Sequence, residues 1–182
     1  MERINTPVFE PSPFCGIIEG VRYATGYGEG DSTAHTKHPL DIHIVRATKK
    51  DIPTMWAWGE NHWELWNSKS CKWYSRASLR RWLADPQHDV LLVAKAGDRL
   101  IGMCVAHTIR DFAYCTGLFI EKDYRGNGVA TKLVGQMMEE LRKKGVKEIT
   151  LSANAKNNCA ISLFESFGFK KGYPTIPLYV RL

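Results

Sequence analysis

Arg125, Gly126, Asn127 and Gly128 are the residues of this chain whose types and spacing most directly imply chemistry. An apolar run, Leu118, Phe119 and Ile120, passes through a short charged segment, and the two glycines then lead straight into a long amphipathic pattern. Glycine reaches backbone conformations closed to other residues. The first turn of a helix presents N–H groups that have no intrahelical acceptor, together with a partial positive charge. A strand, a glycine turn and a helix start in that order can cradle phosphate oxygens, so a phosphate-bearing ligand is expected.

Two familiar phosphate loops do not fit. A P-loop reads G-x-x-x-x-G-K-S/T, whereas Gly126 and Gly128 have a single residue between them and Lys132 follows Thr131 instead of preceding a hydroxyl residue. A dinucleotide fingerprint would need glycine where Thr131 stands, and its turn should follow the strand at once, but Glu121-Lys122-Asp123-Tyr124-Arg125 intervenes. Nucleoside triphosphate and nicotinamide or flavin chemistry are therefore not expected.

The elements that must hold this loop are legible as patterns. Alternation over residues 42–46 predicts a strand, and Thr48-Lys49-Lys50-Asp51 resembles a helix-starting box ahead of a helix over 51–65. A second helix over 75–84 ends near Pro86. Apolar strands follow at 89–94 and 100–108, joined by Ala96-Gly97-Asp98-Arg99, then at 113–120. After the glycines, Val129, Ala130, Leu133, Val134, Met137, Met138 and Leu141 recur at helical spacing, with Gly145 where the helix should stop. A strand over 148–153, a short helix over 158–166 and closing strands at 169–173 and 176–182 complete the order β α α β β β α β α β β.

Composition bounds the class. The chain has 182 residues, net charge +6, and ordinary fractions of hydrophobic (44%) and charged (24%) residues, which suits one globular domain. The positive balance suits anionic ligands, although a solvated basic surface is the commoner reason for it. Cys15, Cys71, Cys104, Cys115 and Cys159 form no C-x-x-C pair, so neither a disulfide framework nor a metal site is expected and a reducing, cytoplasmic setting is. The start of the sequence carries no basic-then-apolar leader, and no apolar run approaches about 18 residues, so no membrane association is expected. Residues 1–41, broken by Pro7, Pro11, Pro13 and five glycines between Gly16 and Gly30, read as an irregular N-terminal extension.

Arg125, Gly126, Asn127, Gly128, Val129 and Ala130 resemble the cofactor motif Q/R-x-x-G-x-G/A of the GNAT superfamily, the acyl-CoA-dependent N-acetyltransferases. A second stretch, Asn157-Asn158-Cys159-Ala160-Ile161-Ser162-Leu163-Phe164 followed by Glu165-Ser166-Phe167-Gly168-Phe169, is similar to that family's N-x-x-A-x-x-L-Y/F-x-x-x-G-F. The resemblance covers residues 42–182. It implies an α/β GNAT fold, a mixed and mostly antiparallel sheet of six to seven strands, splayed in the middle and flanked by about four helices.

It also implies acetyl-CoA as co-substrate and a primary amine as acceptor. The pantetheine arm would lie as a guest strand along Leu118, Phe119 and Ile120 and meet Asn157, the pyrophosphate would sit on Gly126 to Thr131 with Arg125 beside it, and the Leu118 region would supply the oxyanion N–H. Catalysis departs from the family pattern. The position of the tyrosine that often protonates the departing thiolate is Phe164, and the usual glutamate positions are Tyr114 and Ser152. Tyr114 is the expected proton carrier, working through water, with Asp111 and Glu121 as carboxylate alternatives.

All six tryptophans, Trp56, Trp58, Trp63, Trp66, Trp73 and Trp82, fall in the first two helices and their connection, on the side that covers the acceptor in the family. Most suit a core, and one or two could wall an acceptor pocket. A non-catalytic acyl-CoA-binding module is the alternative reading, favoured by Phe164 and the missing carboxylates. A nucleic-acid-binding domain has only the charge in its favour and is not expected. An exposed final strand would allow a homodimer.

Overall fold

A computed structural model of the chain describes residues 41–62, 65, 74–176 and 180. The extension expected at 1–41 lies outside the described residues except for Asp41, as do Trp63, Trp66, Trp73 and most of the last closing strand.

The described elements are β1 (Ile42–Arg46), α1 (Ile52–Asn61), α2 (Arg76–Ala84), β2 (Asp89–Ala96), β3 (Arg99–Ile109), β4 (Phe112–Ile120), α3 (Val129–Lys143), β5 (Glu148–Leu151) and α4 (Asn158–Ser166), with a 3₁₀ turn at Lys122–Tyr124. Five strands in sequence order form one sheet, the first four antiparallel and β5 parallel to β4. The strand expected at 169–173 is not formed. Lys170, Lys171, Gly172 and Tyr173 are exposed and offer no apolar alternation that would hold a hairpin arm to the sheet. Among the described residues no helix is long and apolar enough to cross a membrane.

Local chemistry explains the element ends. Asp51 closes the entry to α1: its carboxylate accepts from the Thr48 N–H at 2.7 Å and the Thr48 hydroxyl at 2.8 Å, and pairs with Lys95 at 3.2 Å. Burial acts to raise the Asp51 pKa, but the Thr48 hydrogen bonds and Lys95 outweigh it and hold the carboxyl below its ordinary value. A group whose pKa is depressed on folding stabilises above its unfolded pKa, and that stabilisation is lost as pH falls through the folded value. Asp51→Asn is accordingly expected to lower unfolding free energy by about 1.5–3 kcal/mol at pH 7. As pH falls below about 4 the unfolded chain's carboxyl gains its proton first and the folded one only at lower pH, so the difference should shrink across that window; urea titrations at pH 7 and in acid measure it.

Ser75 caps α2, its hydroxyl accepting from the Ser78 N–H at 3.1 Å. The end of α3 is a Schellman turn: Gly145 sits at φ 79°, its N–H reaches the Arg142 carbonyl at 3.0 Å, and the Val146 N–H reaches the Leu141 carbonyl at 3.1 Å. The β3–β4 turn pairs Ile109 with Phe112 and places Arg110 at φ 59°, a left-handed conformation that penalises a Cβ. Arg110→Gly should stabilise the fold by about 0.5–1 kcal/mol, the relieved strain exceeding the added unfolded-state freedom. An unchanged urea midpoint would show the turn to be unstrained.

Each face of the sheet carries its own core. Leu133, Val134, Met137 and Leu141 of α3, with Phe164 of α4, pack against Val90, Leu92, Cys104, Ala106 and Ile120. On the other face Ile52, Met55 and Trp58 of α1 and Leu79 of α2 pack against Leu91, Val93, Met103, Val105 and Phe119. The strand β4 changes sides along its length. Val105 pairs with Gly117 and Ala106 with Cys115, so Thr116 is an extra residue, a β-bulge. Ala113 and Cys115 before the bulge face the α3 side; after it, Leu118 and Ile120 do, and Phe119 faces α1 and α2.

Candidate active site

The bulge coincides with the place where the sheet opens. The β4–β5 ladder runs from Phe112 opposite Glu148 to Cys115 opposite Leu151 and stops there, so Thr116 to Ile120 continue without a paired strand on that side among the described residues. Strand geometry says which groups face the gap. The Glu121 N–H donates to the Ile101 carbonyl of β3 at 2.9 Å, and successive residues point alternately, so Phe119 also turns its backbone to β3. Leu118 therefore directs its N–H and C=O, and Ile120 its N–H, into the opening, as an extended guest chain requires, while the Ile120 carbonyl accepts from Arg125. Of the three residues expected to meet the cofactor through their main chain, Phe119 is the one not presented; its ring lies on the α1–α2 side.

At the far end of the gap stands the glycine loop. Gly126 and Gly128 take φ values of 76° and 72°, and Gly128 caps α3 without any side-chain cap. The first intrahelical bond runs from the Lys132 N–H to the Gly128 carbonyl at 3.0 Å, which leaves the N–H groups of Val129, Ala130 and Thr131 directed out of the helix start. No acidic residue stands in this first turn to oppose an anion. The buried Val129 side chain anchors the turn to the core. Arg125 donates through Nε to the Ile120 carbonyl at 2.9 Å, and its guanidinium lies 5.9 Å from the Phe119 ring centre, so it ties the loop to the end of β4. Asn127 braces the same loop, donating through Nδ2 to the Arg125 carbonyl at 3.1 Å.

Near the closed end of the gap, hydroxyl groups converge. Tyr114 shares a 2.8 Å hydrogen bond with Ser152, the residue immediately after β5, so both residues at the family's usual glutamate positions meet one another. Tyr74 also arrives here: its hydroxyl is hydrogen-bonded to the side chain of the bulged Thr116 and lies within electrostatic reach of Tyr114. Burial, and secondarily Tyr114, push the Tyr74 pKa above its ordinary value against the opposing Thr116 bond. Sequence reasoning missed Tyr74. The available signal was its place directly before the Ser75 cap, where an apolar residue commonly anchors a helix entry, but nothing local tells where its hydroxyl points.

The remaining sequence-derived residues divide. Asn157 caps α4, its carbonyl oxygen accepting from the Ala160 N–H at 3.1 Å, which leaves Nδ2 as the group able to reach a ligand. Phe164 is buried on the α3 side, its ring 5.4 Å from that of Phe169. Glu121 is engaged by Arg99 at 2.8 Å, and Asp111 lies exposed in the β3–β4 turn, so neither alternative carboxylate joins Tyr114. On the α1–α2 side, Trp58 and His62 pack on Phe119 at 5.1 and 4.6 Å, Arg76 covers Trp56 at 4.2 Å, and Trp82 lies 4.5 Å from Tyr74 and 4.4 Å from His107. Among the described residues no group of three or more His, Cys, Asp or Glu is arranged to hold a metal ion.

The family model described as Acetyltransferase (GNAT) family matches residues 55–169. N-alpha-acetyltransferase 30 of Schizosaccharomyces pombe is 36% identical over 84 residues, 42% of this chain and 55% of that protein. The ribosomal protein bS18-alanine N-acetyltransferase of Escherichia coli K12 is 29% identical over 83 residues, 42% of this chain and 56% of that one. The chain thus spans about half the length of the curated relatives it matches. Among solved structures, an aminoglycoside acetyltransferase from an uncultured soil metagenomic sample superposes with a TM-score of 0.62 at 16% identity, covering 78% of this chain and 96% of that one. PaiA N-acetyltransferase from Thermoplasma acidophilum, in complex with coenzyme A, gives 0.62 at 21%, covering 72% and 91%. At these identities the structural likeness carries the fold.

Proposed function

Because the chain belongs to the acetyltransferase (GNAT) family, we propose that it moves an acetyl group from acetyl-CoA to a primary amine by direct attack within a ternary complex. The observation that carries this reading is the continuity of one groove: β4 leaves its ladder at Thr116, presents Leu118 and Ile120 to the gap, and delivers the chain to the glycine-capped start of α3. An elongated ligand with amides in its middle and phosphates at one end fits that sequence of groups. Its pyrophosphate meets the N–H groups at the start of α3, its amides pair with Leu118 and Ile120, and its thioester reaches the closed end beside Tyr114 and Thr116. There the Leu118 N–H stabilises the oxyanion, and Tyr114, with Ser152, takes up the amine's proton through water.

The acceptor proposed is an N-terminal α-amine. Its ordinary pKa of about 7.7–8.0, against about 10.4 for lysine, leaves a useful neutral fraction near pH 7, so a hydroxyl relay suffices where a lysine would call for a stronger base. The names of the relatives in yeast and bacteria point the same way. Acetyl transfer to a panel of amines, with release of free thiol as the readout, tests activity and acceptor class together. Peptides with free N-termini should lead small amines, lysine side chains, polyamines and aminoglycosides. Tight acetyl-CoA binding without transfer to any of them would instead support the non-catalytic module.

Phe164 bears on the same choice. A thiolate whose thiol has a pKa near 8.5 leaves readily, so the absence of a hydroxyl at this position is compatible with turnover. Phe164→Tyr is expected to change turnover by no more than a few-fold. A loss of about 100-fold would mean that the ring packs where a hydroxyl has no room.

A further inference from the structure

We propose that Tyr74 is a second proton carrier of the reaction, its hydroxyl placed to donate to the sulfur of the departing CoA. The inference rests on the acetyl-transfer reading and adds a residue to it. Three placements support it. The hydroxyl meets the side chain of Thr116, the one residue of β4 that bulges out at the closed end of the gap, where the groove sets the thioester; the Thr116 hydroxyl also lies a long 3.4 Å from the Val105 carbonyl, and turned to Tyr74 it donates there and leaves the Tyr74 proton for the sulfur. Its ring packs edge to face on Trp82 at 4.5 Å, with His107 beyond at 6.4 Å and itself against Trp82, so one aromatic cluster sets the direction of the hydroxyl. Tyr114 lies across from His107 in the β3–β4 register, which brings the two tyrosine side chains to one face of the sheet.

Phe164, by contrast, is buried with Phe169 on the opposite face and has no proton to give. Tyr74 thus approaches the sulfur from the acceptor side. Burial keeps its hydroxyl protonated through the neutral range, as a donor must be.

The proton balance closes. The neutral amine nitrogen forms a bond to the acetyl carbon, the carbon–sulfur bond breaks, and its electron pair goes to sulfur. Sulfur takes the Tyr74 proton. The proton that nitrogen gives up passes through Tyr114 and water and restores the Tyr74 phenol, so the products are the amide and free CoA thiol.

The test uses CoA itself, without an acceptor. A hydroxyl that donates to sulfur stabilises the thiolate, so the thiol of bound CoA, followed by thiolate ultraviolet absorbance across pH, should titrate about one pH unit higher in Tyr74→Phe than in wild type. That shift is a tenfold change in thiolate stability. CoA affinity below the thiol pKa should stay unchanged, and kcat should fall about tenfold with little change in the KM for the amine. Thr116→Val, which frees the hydroxyl while leaving the Tyr74 ring in place, should move the titration in the same direction, and Thr116→Ser should restore it. These two variants carry the test should Tyr74→Phe fail to fold. Equal thiol titrations in wild type, Tyr74→Phe and Thr116→Val overturn the proposal, as does a fall in kcat with no change in titration, the mark of a purely structural tyrosine. Failure of wild-type protein to bind CoA at all would overturn the acetyl-transfer reading instead.

Discussion

Replacing Gly128 with valine is expected to weaken acetyl-CoA binding by more than tenfold, about 1.4 kcal/mol, with the fold intact. Gly128 sits at φ 72°, in the left-handed region, and a Cβ built there meets nothing within 4 Å. The protein therefore has no atoms in the way; the penalty comes from the backbone, which a β-branched residue holds in this conformation only under strain. The loop relaxes toward an ordinary φ and turns the N–H groups of Val129, Ala130 and Thr131 away from a common focus, while the new methyl groups stand where phosphate approaches. Gly126, at φ 76° and equally open, should respond in the same direction. Calorimetric titration with acetyl-CoA measures the effect, and a circular dichroism melt checks the fold. An unchanged dissociation constant in a folded variant would remove the α3 start from the binding site.

Tyr114→Phe should lower kcat/KM by roughly ten- to a hundredfold without altering acetyl-CoA affinity, since one general-base contribution is worth about 10²- to 10⁴-fold and a water relay depends on one residue less than direct abstraction does. The substitution keeps the ring and removes the hydroxyl that meets Ser152 at 2.8 Å. Ser152→Ala should produce a smaller loss in the same direction, because it leaves the phenol present but unoriented. Asp111→Asn and Glu121→Gln serve as controls. Asp111 is exposed in its turn and Glu121 is held by Arg99, so each should stay near wild type. Should either abolish transfer while Tyr114→Phe does not, the proton travels through that carboxylate.

What was legible in the sequence was what local geometry dictates. The Thr48–Asp51 entry, the Gly97 hairpin and the Gly145 stop each depend on a few consecutive residues, and each stands where its pattern placed it. The amphipathic repeat of α3 likewise fixed which of its faces meets the sheet. Features that depend on packing at a distance were not legible. The apolar pattern of α1 ran on to residue 65, yet the helix ends at Asn61, with the His62 N–H closing on the Trp58 carbonyl at 3.0 Å. No periodicity could say that Tyr74 would cross from the start of α2 to Thr116, because that contact requires the sheet, its bulge and the α2 packing to exist first. The two tyrosines at the closed end, Tyr74 and Tyr114, are neighbours in neither pattern nor spacing; they meet only through the tertiary fold.

The bulge at Thr116 also changes how natural variation in this strand should be read. Ordinary strands obey one parity rule from end to end, so a column-by-column comparison would assign alternate positions of 112–120 to one helical layer throughout. Here the rule reverses midway. Changes at Ala113 and Cys115 should co-vary with α3, those at Phe119 with α1, and a one-residue deletion at Thr116 would exchange the partners of every position on one side of it, leaving Leu118 and Ile120 to face Trp58 and its neighbours. Length variation in β4 should therefore be tolerated far less than substitution, even though the strand borders an open groove.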